Sequence, residues 1–220
     1  MDHPARNIYP RMNPRGAERG SALIEFVLAT GLLLVPLLLG TVVFGLNLTR
    51  ANQVTGVCRD AAHMYAYGVD FSQNSNKDLL LQLAQGLNMT VTGGNGVVIL
   101  STITYIDKGD CEAAGLSAGG AGCENFDKTV FTRRIVIGNR SLFSSAFGTP
   151  NSSIVDSSTG QIDMKNFLSN SSAEAAGFKA TIPGLASGQY AYMAEMYVTS
   201  PDYSLGNSFG LPSISSRSIF

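Results

Sequence analysis

The residues with the most chemical leverage stand together, in Arg19-Gly20-Ser21-Ala22-Leu23-Ile24-Glu25-Phe26. Glu25 is the sole ionisable side chain between Ser21 and Leu46. A carboxylate held deep in a bilayer costs about 2.5–3.5 kcal/mol on insertion scales. At the first turn of a helix the cost falls, because the interface is near and the helix N-terminus favours negative charge. A cut after Gly20 would create a positive amine on Ser21, and that amine, on this chain or a neighbour, is a natural partner for Glu25. The plainer reading is an interfacial glutamate tolerated at a helix start.

Other candidates are weaker. His63 is the one credible general base for a serine hydrolase, but no partner motif accompanies it. Two histidines and three cysteines give no four-ligand zinc set, so no metal is expected. Gly93-Gly94-Asn95-Gly96 is a turn without phosphate-loop spacing, so no nucleotide cofactor is expected either. Asp156-Ser157-Ser158-Thr159-Gly160 is similar to the DxSxS metal-adhesion motif of von Willebrand A-type domains, but Gly160 breaks the pattern and the flanks lack the strand such a site needs. The chain is therefore expected not to be an enzyme.

The elements that must position Glu25 follow directly. At about 1.5 Å per residue, a run of roughly 20 residues spans the ~30 Å hydrocarbon core of a bilayer, and the run to Leu46 has that length. It is longer than the core of a removable secretory signal, and no small-x-small cleavage site follows it, so the helix is expected to be retained. Arg6, Arg11, Arg15 and Arg19 precede it against Asp2 and Glu18, which predicts a cytoplasmic N-terminus and an exported C-terminal part. Pro4, Pro10 and Pro14 disfavour a helix in this leader, and Pro36 should kink the apolar one. Gly31, Gly40 and Gly45 permit close helix approach without forming a GxxxG motif. Past Leu46 the helix should continue, because Ala51, Val54, Cys58, Ala61 and Tyr65 recur at helical spacing while Asn52, Arg59 and His63 fall elsewhere; the run should end near Gly68.

The rest predicts a small β-rich domain. Ser75 and Asp78 have capping-box spacing for a short helix to about Asn88, with Leu80, Leu83, Ala84 and Leu87 on one face. Val97–Ile106, Thr129–Ile137 and the alternating Tyr190–Thr199 read as strands, with Pro201 ending the last, and Ser213–Phe220 reads as a further one. Between the first two lie Cys111 and Cys123. If this part is exported, a disulfide across the loop is expected, worth about 3 kcal/mol by chain entropy; two free thiols are the other reading. Cys58 is then left over, buried on the helix. Residues 141–188 are weakly patterned and read as a long surface loop, with a short helix around Ile162–Leu168. The fold class is α+β: a long N-terminal transmembrane and spine helix, then a small antiparallel sheet with a short second helix and long loops. The expected divisions are a basic leader at 1–20, the helix at 21–69 and an extracytoplasmic domain at 70–220. A formal net charge of −1 gives no reason to expect nucleic-acid binding.

Gly20, four residues, Glu25-Phe26 and an unbroken apolar segment together resemble a type IV prepilin processing site. The wording Arg-Gly-Ser-Ala-Leu-Ile-Glu-Phe is similar to the TadE/TadF-like pseudopilins of the Tad (tight adherence, Flp) pilus system. The resemblance implies cleavage after Gly20 by a prepilin peptidase, Ser21 as the new N-terminus, Glu25 as the family's acidic residue and Phe26 at its aromatic position. It covers about the first quarter of the chain. The segment beyond the helix is too long for a main filament subunit, which favours a minor pseudopilin. The expectations that follow are a single-pass bacterial inner-membrane protein, N-terminus cytoplasmic and C-terminal domain periplasmic, incorporated or not in a pilus. Its partners would be inner-membrane lipid, the peptidase and other Tad/Flp pilins and pseudopilins. The alternative is an uncleaved, single-span periplasmic binding module or adhesin.

Overall fold

The structure, a computed structural model, describes residues 18–199 and 213–220, and of residues 18–21 the backbone alone. The leader expectations for Met1–Ala17 and the strand stop at Pro201 lie outside the described residues. The chain divides between Gly45 and Leu46 into two units.

The described part of the first unit is helical. Helix α1 (Glu18–Ala29) runs into a π-helical turn, Thr30–Leu34, followed by α2 (Val35–Ala66). The π turn has a local cause. Pro36 has no N–H to donate, and its ring crowds the carbonyl four residues back at Leu32. A wider turn just before it relieves the clash, so the expected break takes the form of a π bulge.

The second unit opens with the C-terminal half of α2. Val54, Cys58, Ala61 and Tyr65 are buried as the spacing predicts, with Val57 and Ala62 beside them, while Asn52, Arg59 and His63 are exposed. Gly68, at φ +86°, adopts the left-handed backbone that follows a helix end. Helix α3 (Asn74–Leu83) differs from expectation in two ways. Its N-cap is Gln73, with no side-chain cap, so the Ser75–Asp78 capping box does not form. Asp70 organises the approach instead: Ser72 N–H and Oγ donate to its carboxylate, and Asn76 Nδ2 donates to its carbonyl at 2.8 Å. The helix also stops at Leu83, which is exposed; Leu80, Ala84 and Leu87 carry the buried face.

Strands β1 (Gly96–Tyr105), β2 (Thr129–Gly138), β3 (Tyr190–Thr199) and β4 (Ser213–Ile219) form one antiparallel sheet in the order β2-β1-β3-β4. One face packs on α2 and α3 through Val98, Leu100, Ile135, Ile137, Ala194, Met196 and Val198. At about 25 cal/mol per Å² of apolar surface removed from water, this is the main core term for the domain.

The other face is where the sequence misleads. Residues 141–188 are not a surface loop: Phe147, Ile154, Ile162, Ala173, Ala175 and Phe178 pack on Ile103, Phe131, Ala191 and Met193 to form a second core. The segment also covers the outer edge of β2, where Arg134 N–H donates to Gly160 O at 2.7 Å and Ala175 N–H to Thr129 O at 2.7 Å. Its short helices are α5 (Met164–Ser169) and α6 (Phe178–Thr181); α5 overlaps the helix expected near Leu168. A bulge at Thr102/Ile103 lets Phe131 and Arg134 share this face.

The β1–β2 connection carries α4 (Lys108–Ala113), begun by a reciprocal capping box between Asp107 and Asp110. Cys111, in α4, is disulfide-bonded to Cys123, with Cα atoms 5.9 Å apart, over Ile106, Val130 and Leu168. Closing a loop of this length contributes about 3 kcal/mol in the chain-entropy model. Reducing the bond, or a Cys111→Ser/Cys123→Ser variant, is expected to lower the melting temperature by roughly 6–12 °C for a domain of this size. Differential scanning calorimetry of the oxidised and reduced chains checks it.

Candidate functional site

The candidate site is the N-terminal helix itself. Gly20 and Ser21 lie in helical backbone within α1, and Glu25 and Phe26 follow one turn later on the same element. Around them the helix shows large apolar side chains on every side: Leu23, Ile24, Phe26, Leu32 and Phe44 are each at least 62% exposed. A soluble helix would show an apolar stripe and a polar face. This one is apolar all round over a length sufficient to cross a membrane. Each such side chain gains about 1.5–3 kcal/mol on leaving water. The segment is therefore built for lipid or for the apolar flanks of other helices, and Glu25 is the single charge it takes there.

The other residues singled out from sequence fall elsewhere. Cys58 is fully buried, its Sγ 3.4 Å from Ala194 O and 3.5 Å from Ser216 O. The His63 ring lies against those of Tyr67, at 4.5 Å, and Phe220, at 5.4 Å between centroids. Among the described residues no serine hydroxyl hydrogen-bonds its imidazole, so the geometry of a hydrolase is not assembled there. Asp156 is satisfied by its own loop: its Oδ1 accepts from Ser158 Oγ at 2.6 Å and from the N–H groups of Ser158 and Thr159 at 2.8 Å. The Ser158 hydroxyl and these two amides hold its carboxyl down at about 2. It caps a turn, and among the described residues no cluster of three metal-ligating side chains occurs.

Sequence reading missed a polar group on the second sheet face. Glu195 of β3 is 1% exposed. It lies beside Arg217 of β4, whose Nε and Nη2 donate to Glu195 Oε1 at 2.9 and 2.7 Å. Arg134 of β2 shares the face; its Nη1 donates to Gly148 O at 3.1 Å and its guanidinium stands 4.9 Å from the centre of the Phe131 ring. The signal that would have found it is a glutamate in mid-strand, opposite in phase to the apolar alternation of Tyr190–Thr199.

The described residues thus give one apolar helix long enough to cross a membrane, followed by a small α+β domain. Residues 20–63 match the family model described as TadE-like protein, a finding consistent with a TadE-like protein of the Tad pilus system. No curated protein and no solved structure matches the chain. The family is one of structural pilus components, and its match supports membrane association and a place among pilus proteins.

Proposed function

We propose that the chain is a TadE-like minor pseudopilin, held in the bacterial inner membrane and cut after Gly20 by a prepilin peptidase. The observation that carries this reading is the coincidence of the family match with an apolar helix exposed all round and bearing one acidic residue at its start. In this reading residues 1–20 are a cytoplasmic leader, 21–69 the membrane and spine helix, and 70–220 the periplasmic domain. The bilayer stores the precursor. Cleavage exposes the Ser21 amine, and the helix leaves lipid for a bundle of other Tad pilins, with Glu25 meeting an amine and Phe26 packing beside it. The sheet domain remains outside, where it primes, caps or anchors the assembly. The role is mechanical and needs no catalytic group.

The test is mass spectrometry of the mature chain from cells that contain the cognate peptidase. An N-terminal peptide beginning at Ser21 is expected. Intact peptides spanning Arg19–Ala22 as the main species would overturn processing and leave the uncleaved, tethered module.

A further inference from the structure

On the second face of the sheet, the core built by residues 141–188 covers only one end. At the other end a cleft of about 520 Å³ opens over Ile99, Arg134 and Val136, walled by Phe143 and by the Asp156 turn. That volume falls in the range of small-molecule sites. Three cations line it: Arg134 at the floor, with Lys77 and Arg140 further out. Among the described residues none of the three forms an ion pair within 4 Å. The one acid in the wall, Asp156, has its Oδ1 taken up by three donors of its own loop.

Arg134 is the unusual group. It is 6% exposed, and of its three nitrogens only Nη1 has a protein acceptor; Nε is buried with none. Glu195, whose charge Arg134 feels, gives Oε1 to Arg217 and keeps a buried Oε2 with no hydrogen-bond partner, but no ion pair within 4 Å joins it to Arg134. Burial outweighs the attraction of Glu195 and draws the Arg134 guanidinium down to about 10. A buried guanidinium with open donors favours an acceptor of matching fork geometry, and a carboxylate is such an acceptor.

The remaining lining narrows the ligand. Phe143 is stacked on Tyr197 at 5.3 Å and 13°, a rigid aromatic platform at the wall. Thr149, Ser152 and Ser157 bring hydroxyls that both donate and accept. A charged group at the floor, a flat apolar wall and a hydroxylated rim suit a ring that carries a carboxylate and several hydroxyls. We infer that this cleft binds an acidic monosaccharide unit, a hexuronate, with its carboxylate on Arg134 and its ring against Phe143.

The experiment is a titration of the full chain in detergent with galacturonate, galactose and acetate, following the methyl resonances of Ile99 and Val136. Galacturonate is expected to shift both saturably, with galactose and acetate each at least tenfold weaker, because one charge-assisted contact is worth about a factor of ten. Arg134→Gln should abolish the shift. Since that buried change could disturb the fold, Arg140→Gln, at an exposed position, is the second variant and should weaken binding severalfold. Galactose binding as tightly as galacturonate, acetate binding as tightly, no saturable shift, or unchanged affinity in Arg140→Gln would each overturn the proposal.

Discussion

The Glu195→Ala variant should be about 3 kcal/mol less stable than the parent chain, with a melting temperature lower by roughly 6–12 °C. The carboxylate is buried in a central strand and takes both donors of Arg217. Taking it away leaves the Arg217 guanidinium stacked at 4.5 Å on Phe147 without its acceptor, and removes a negative charge that favours the Arg134 cation. Breaking a buried pair in this one-sided way costs about 3–5 kcal/mol. The Arg217 side chain is 37% exposed, so water recovers part of that, and the lower end applies. Glu195→Gln, which keeps an acceptor and loses the charge, should fall between. Glu195→Met combined with Arg217→Met should regain much of the loss, since matched apolar residues often replace a buried pair without cost. Chemical denaturation of the full chain in detergent measures all three. A loss below about 1 kcal/mol in Glu195→Ala would place the pair with ordinary surface salt bridges.

That pair also marks where sequence reading ended. The periodicity of Ala51, Val54, Cys58, Ala61 and Tyr65 is a direct record of one packed face, and the strand limits Tyr190–Thr199 agree with the structure. Both signals are local and repeat along the chain. The second core is neither. Phe147, Ile154, Ile162 and Phe178 stand at irregular spacings because they hang from turns and short helices, so no period betrays them. Once that layer is invisible, the odd-numbered residues of β3 look solvent-facing, and Glu195 passes as a surface acid. The Arg134 cleft was hidden for the same reason, since its far wall is built from this segment. The Ser75–Asp78 capping box failed differently: the spacing is there, but Asp70 fixes the approach through Ser72 and Asn76, and the N-cap falls two residues earlier, at Gln73. The apolar helix was legible for another reason: its length and uniform apolarity are themselves a composition signal, and the structure leaves those side chains exposed.

Glu25→Ala should leave cleavage after Gly20 intact and reduce recovery of the chain in sheared pilus fractions by at least tenfold. Ser21 and Glu25 are four residues apart on helical backbone, on one face and about 6 Å apart along the axis. At that separation an amine and a carboxylate attract by about 0.7 kcal/mol in water and about 2.8 kcal/mol at the effective dielectric of a protein interior. On the proposed reading the pair would gain strength as helices close around it, the behaviour expected of an assembly contact. Neighbouring chains at similar distances would gain by the same arithmetic. Glu25→Gln should resemble alanine, because it is the charge that counts, and Glu25→Asp should retain most incorporation. Gly20→Trp should act one step earlier. On the proposed reading the Gly20–Ser21 bond lies in helical backbone that would have to open to enter a peptidase; glycine lowers that cost by about 0.5–1 kcal/mol relative to alanine, and a bulky side chain would obstruct it sterically. Its chain should accumulate in membranes with the leader attached and be missing from the sheared fraction. Mass spectrometry of both fractions reads every variant, by the N-terminal peptide and by amount. Equal incorporation of Glu25→Ala would remove the charge from the mechanism, and normal trimming of Gly20→Trp would move the cut to another bond.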